Sequence, residues 1–139
     1  MYLLDTNVVS ELRKPRPHRA VLSWIASVAD ADLHVAAATI GELQAGVEIT
    51  RQQDAAKAAE IEHWIDLVAA TYNVLPMDAA TFRLWARLLH GQPAELLEDA
   101  MIAATAVVHR LTVVTRDTRD FARLGVPAFS PFTGNRVPK

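Results

Sequence analysis

Short apolar runs, each followed by a longer stretch with helical spacing, leave this chain few ways to fold. Tyr2–Asp5, Leu33–Ala37, Asn73–Leu75 and Leu111–Thr115 read as strands, and Pro127–Phe129 as a last edge strand. Between the strands the apolar spacing predicts helices. Asn7–Leu12 is stopped by Pro15 and Pro17, and His18–Ala29 carries Val21, Leu22, Trp24, Ile25 and Val28 on one face. A long helix begins at Thr39, and Asp54 caps one with Ile61, Trp64, Ile65 and Val68. Asp78 caps another that ends at Gly91; two more span Ala94 to His109 and Thr118–Leu124. Strands alternating with helices build an α/β fold around a mostly parallel sheet, because parallel neighbours are joined by right-handed crossovers. No repeat or linker interrupts the pattern, so residues 1–139 read as a single domain, with about 131–139 a surface tail.

Composition narrows the function. With 51% hydrophobic and 22% charged residues the chain belongs to the soluble globular class. It has no apolar run of the roughly 18 residues that a membrane span needs, and no basic-then-apolar start of the kind that marks a signal peptide. Zero cysteines exclude disulfides and thiolate metal sites and fit a cytoplasmic protein. A net charge of −2 argues against a broadly basic nucleic-acid binder. Nucleic-acid contact then requires a local patch, or a metal supplying the missing positive charge.

The acids are placed where chemistry would need them. "LLD" ends a strand in Asp5, and "TVVTRD" sets Asp117 just beyond another. In open α/β sheets ligands bind outside the carboxyl ends of the strands, so both carboxylates point at a shared crevice. Glu42, one turn into the helix after the second strand, can face the same edge. Asp99 interrupts the small apolar face of the helix before Leu111–Thr115. Four carboxylates at one edge would raise each other's pKa, and a hard divalent cation relieves that repulsion. Such a site suits phosphodiester hydrolysis by a metal-activated water. Taken singly, each acid has a plainer role: Asp5 as a helix cap, Glu42 as a solvated side chain, Asp99 as a partner of the helix dipole, Asp117 as a turn residue.

"LLDTNVVSEL", "TIGEL" at Thr39–Leu43, "EDAMIAATAVVHRLTVVTRDTRDF" from Glu98 to Phe121, and the terminal "FSPF" together resemble a PIN domain. The likeness is greatest to the toxins of VapBC-type toxin–antitoxin pairs, in their FitB-like branch. This resemblance implies an α/β/α sandwich and a Mg²⁺- or Mn²⁺-dependent ribonuclease. Its acids fall on Asp5, Glu42, Asp99 and Asp117, with Asp120 an alternative for the last. Asp5 and Asp99 are then the first choices as metal ligands, with Glu42 and Asp117 holding waters or a second ion. Thr6, Asn7, Thr39 and Thr115 could orient the ligands, although Thr39 serves equally as a cap. It also implies a DNA-binding antitoxin of the VapB/FitA type and a toxin homodimer inside a larger complex. The helices from Thr39 to Tyr72 are the expected antitoxin groove.

Arg13, Lys14, Arg16 and Arg19 crowd a proline-broken loop, and Arg116, Arg119 and Arg123 flank Asp117. Arg13 and Arg116 are the candidates for RNA-phosphate contacts. The five histidines lack zinc-ligand spacing, and Trp24, Trp64 and Trp85 read as core. Two readings compete with the nuclease. In one, the chain is a binding subunit of a DNA-binding regulatory complex. In the other, Asp5 is a phosphatase nucleophile, disfavoured because Asn7 stands where that chemistry wants a second acid.

Overall fold

Strand residues of this chain alternate their contacts between two apolar layers, and this sets the architecture. The computed structural model describes residues 1–133. In chain order the elements are β1 (Tyr2–Leu4), α1 (Thr6–Glu11), α2 (Arg19–Ser27), β2 (Leu33–Ala36), α3 (Ala37–Arg51) and α4 (Ala55–Thr71). There follow β3 (Asn73–Leu75), α5 (Ala79–Leu89), α6 (Leu97–His109), β4 (Thr112–Val114), α7 (Thr118–Arg123) and β5 (Ala128–Phe129). The strands form one five-stranded sheet in the order β3-β2-β1-β4-β5, and every pairing is parallel. Leu3 and Val113 pack with Ile102, Ala103 and Phe121 of α6 and α7. Their neighbours Leu4 and Val114 pack with Val8, Val9, Val21 and Val68 of α1, α2 and α4. The period-2 alternation of a strand buried on both faces thus yields the expected α/β/α sandwich.

The central strands are short, and the crossovers deliver every one of them to the same edge. β1 lies between β2 and β4, so the turns that follow these three strands converge. Most expected boundaries hold within a residue, and Asp54 and Asp78 cap α4 and α5 through their carboxylates. Two helix starts differ. α3 begins at Ala37, directly from β2 and without a side-chain cap, so Thr39 is a buried helix residue and not a cap. Residues Ala94–Leu96 form a 3-10 turn, and the α-helix starts only at Leu97. The start of the expected tail is anchored: Pro131 is buried, and Phe132 packs against the layer containing Val8 and Val21. The remainder of that tail, 134–139, lies outside the described residues. Trp24, Trp64 and Trp85 are half-buried against the core, as expected.

Candidate active site

β1 ends where its ladder reaches Asp5, whose backbone N–H still donates to Val114 O at 2.8 Å. Asp5 then turns the chain and caps α1, its Oδ1 accepting from Thr6 N at 2.8 Å. Its Oδ2 accepts from the Thr115 hydroxyl at 2.7 Å, just past the end of β4. Asp5 is thus a helix cap and, at the same time, an acid at the sheet edge. With only 4% of its surface exposed, its carboxyl is pushed above the ordinary range. Burial is the main cause, the two hydrogen bonds oppose it, and the charges of Asp117 and Asp120 add to it.

Asp5, Glu42, Asp99 and Asp117 all line one cavity of about 400 Å³ at this edge, together with Thr6 and Asn7. Asp99, in the first turn of α6, is pushed up to about 7 by burial and by the charges of Asp5, Asp120, Asp117 and Glu98. Glu42, in the second turn of α3, is pushed up to about 8 by burial and by a carboxyl–carboxylate contact with Glu98. A small polar network holds this set. Thr6 Oγ1 lies 3.0 Å from both Glu42 Oε1 and Thr39 Oγ1. Asn7 Nδ2 donates to Asp117 Oδ2 at 3.1 Å, and Asn7 Oδ1 accepts from Arg116 N at 3.2 Å. Thr115 Oγ1 also accepts from Asp117 N at 2.9 Å. Thr6, Asn7 and Thr115 thus bond Glu42, Asp117 and Asp5 directly, while Thr39 reaches the acids only through Thr6.

Asp117 lines both this cavity and an adjoining cleft, whereas Asp120 lines only the cleft, with Thr118 and Arg119, and its charge still reaches Asp5 and Asp99. Arg116 lines the cavity, whereas Arg13 lies in a neighbouring groove, its guanidinium 6.0 Å from the Trp64 ring centre. Lys14 stands at the cavity in its place. Two acids of the site were not expected from the sequence. Glu98 precedes Asp99 and faces Glu42. Glu11, one helical turn beyond Asn7 on α1, lines the cavity and is buried. The i, i+4 spacing from Asn7 is the sequence feature that could have pointed to Glu11.

Among the described residues, no three His, Cys, Asp or Glu side chains stand so as to hold an ion by themselves. The donors facing the cavity are nevertheless hard oxygens, and no Lys, Arg or His among the described residues pairs with Asp5, Glu42 or Asp99. Mg²⁺ takes one or two carboxylates directly and keeps several waters, so this donor set fits such an ion without a closed cage.

A parallel sheet with helices on both faces and a cluster of acids at its carboxyl edge defines an α/β protein built around an anionic pocket. A model of the PIN domain matches residues 2–127, and the chain belongs to the PIN-domain family. Within it the chain is of the VapC and FitB type. It is 34% identical over 140 residues to "Toxin FitB" of Neisseria gonorrhoeae, covering 95% of this chain and 99% of that one. Against "VapC ribonuclease Y4jK" of Sinorhizobium fredii the identity is 36% over 140 residues, with 95% and 98% covered. The crystal structure of FitAcB from Neisseria gonorrhoeae superposes with a TM-score of 0.82 at 33% identity, over 95% of this chain and 99% of that one. A toxin–antitoxin complex from Klebsiella pneumoniae superposes with a TM-score of 0.71 at 27% identity, over 94% and 98%.

Proposed function

We propose that this chain is a Mg²⁺- or Mn²⁺-dependent endoribonuclease and the toxin of a toxin–antitoxin pair. The observation that carries the reading is electrostatic. Asp5, Glu42, Asp99 and Asp117 come from four separate segments to one cavity, and burial and mutual repulsion push Glu42 and Asp99 up to about 8 and about 7. Such an arrangement opposes the fold's own stability unless a cation completes it. The names of the relatives support the same reading, one being called a ribonuclease and another a toxin.

A bound divalent ion supplies polarisation of a phosphoryl oxygen and acidification of a water. Asp5 and Asp99 would hold it, while Glu42 and Asp117 orient waters or assist a second ion. Thr115 and the Thr6 amide fix the Asp5 carboxylate in one rotamer, so that its free lone pairs stay aimed at the cavity. Asn7 does the same for Asp117. Phosphate oxygens of RNA are drawn to Arg116 on the cavity wall.

The antitoxin would lie in the groove between α1, α3 and α4, about 310 Å³, where Leu43, Val47, Ile61 and Trp64 give apolar walls next to Arg13. A solved relative in a toxin–antitoxin complex supports that partner. A homodimer would cover apolar surface such as Phe82 of α5 and Leu97 of α6, both exposed. No helix among the described residues is long and apolar enough to cross a membrane, which suits a toxin acting on RNA in the cytoplasm.

The test uses the purified chain and a mixed RNA pool with Mg²⁺, Mn²⁺ or chelator, beside Asp99→Ala. Cleavage that requires metal and is lost in the folded variant supports the enzyme. A folded, metal-supplied wild type that binds metal by calorimetry yet cuts none of a total-RNA panel sinks it, in favour of the binding-subunit reading.

A further inference from the structure

Glu11 has no part in the reaction as described, yet it is 4% exposed and lines the same cavity as the acids. Its environment is the opposite of theirs. Lys14 Nζ lies 2.9 Å and Arg116 Nη2 3.3 Å from its Oε1, and the His18 backbone N–H donates to its Oε2 at 3.0 Å. Those donors hold its carboxyl below the ordinary range, the Lys14 hydrogen bond contributing most. Both cations are half-exposed, with 56% of the Lys14 side chain and 51% of the Arg116 side chain open to solvent. Arg116 is also stacked on Phe132, its guanidinium carbon 4.0 Å from the ring centre. Its backbone is tied to Asn7.

Closing the loop between α1 and α2 needs only an acceptor for the His18 N–H, which a neutral side chain could provide. A buried carboxylate that gathers two cations on the wall of an acidic cavity does more. Arg116 has five donors in a rigid fork and Lys14 has three, so each keeps donors free after bonding Glu11. Neither cation pairs with Asp5, Glu42 or Asp99, so neither neutralises the acids that would face the scissile phosphate. We propose that Glu11 is a positioning residue that fixes Lys14 and Arg116 as a two-cation subsite for the RNA phosphate next to the scissile one. This inference rests on the nuclease reading for its substrate and on Glu11's contacts for its geometry.

The experiment measures binding of a mixed-sequence 2′-O-methyl RNA dodecamer by fluorescence anisotropy in Mg²⁺ across a salt series. Cleavage of unmodified RNA is followed in parallel. Glu11→Gln weakens binding about tenfold and flattens the dependence of log Kd on log salt by about 0.7 for each phosphate no longer neutralised. In cleavage it raises KM and changes kcat by no more than about twofold, the pattern of lost uniform binding. In a Lys14→Ala/Arg116→Ala background Glu11→Gln adds nothing further, because its effect passes through those two cations. A folded Glu11→Gln protein with unchanged Kd and salt slope overturns the proposal. So does an undiminished effect in the double-alanine background, which would mark Glu11 as a loop tie alone, and so does a wild type that does not bind the oligonucleotide. If Glu11→Gln fails to fold, Glu11→Asp keeps the charge but withdraws it by one methylene, and the same shift or its absence decides. Binding without cleavage by wild type overturns the nuclease reading alone; cleavage by wild type with an indifferent Glu11 overturns the subsite alone.

Discussion

Two clusters of carboxylates in this molecule are built in opposite ways. On the outer face of the α3–α4 hairpin, Arg51 bonds Glu48 at 3.0 Å and Glu62 at 2.9 Å, and Gln44 donates to both at 2.7 and 2.8 Å. Hydrogen bonds from Arg51 and Gln44 hold both carboxyls below the ordinary range. At the sheet edge, Asp5, Glu42 and Asp99 have hydroxyls, one amide and each other for company, and all three are pushed up. One cluster brings its own cation and serves the surface of the fold. The other has no paired cation of its own among the described residues, the arrangement expected where acids are kept for binding and chemistry. Glu11 stands between these cases, an acid at the functional edge that carries its own cations.

The largest effect separates the clusters by activity. In Asp5→Asn the amide oxygen still accepts from Thr6 N, while the Thr115 hydroxyl, which already accepts from Asp117 N and Asn7 Nδ2, loses its acceptor. The charge is lost together with about one hydrogen bond, and circular dichroism checks that the fold is kept. RNA cleavage is expected to fall by about two to three orders of magnitude, while Glu62→Gln leaves it within about twofold. Initial rates on one RNA substrate at saturating Mg²⁺ check both. Equal losses in the two variants would erase the distinction drawn between the clusters.

A smaller effect concerns stability without metal. Asp99 has its folded pKa raised from 3.8 to about 7, so its contribution to stability is fully present below about pH 4 and lost as pH rises toward 7. Asp99→Asn removes that loss. The metal-free variant should match wild type in Tm near pH 4, exceed it increasingly up to pH 7, and level off above. Because Asp99 is partly exposed, the gain is reduced by solvent to about 3–5 °C. Added Mg²⁺ or Mn²⁺ should raise the Tm of wild type and do little for the variant. Thermal unfolding in chelator and in metal, from pH 4 to pH 8.5, reads out every part of this.

How much of this was legible in the sequence depends on the range over which each feature is determined. The strands and their acids could be read because "LLD" and "TVVTRD" carry the change from apolar to acidic within a few residues, and parallel topology then sends them to one edge. The starts of α3 and α6 were misplaced because Ala36 and Leu96, at their N-caps, have no side chain that bonds the helix. Glu11 was missed because its partner Arg116 is 105 residues away, and its spacing from Asn7 is equally that of a solvated helix-end acid. Arg13 and Lys14 are adjacent and chemically alike, yet one turns to Trp64 and the other to the acid cavity. Only the packing of α1 against its neighbours decides which is which.

The smallest effect tests the self-sufficient cluster. Arg51, Glu48 and Glu62 are all exposed enough for water and salt to compete with every contact among them. Arg51→Ala should therefore lower Tm by no more than about 2 °C at pH 7 in low salt. The two glutamates have lowered folded pKa values, so what stability they add is present above their ordinary value of 4.5 and fades as pH falls through the folded values. The difference between Arg51→Ala and wild type should accordingly vanish in strong acid and at about 1 M salt, where the screening length shrinks to about 3 Å. This pH dependence runs opposite to that of Asp99→Asn. A Tm difference for Arg51→Ala that grew in acid, or survived high salt undiminished, would mean that Arg51 acts through packing of its alkyl chain on the hairpin and not through the carboxylates. The two clusters would then no longer differ simply in who supplies the cation.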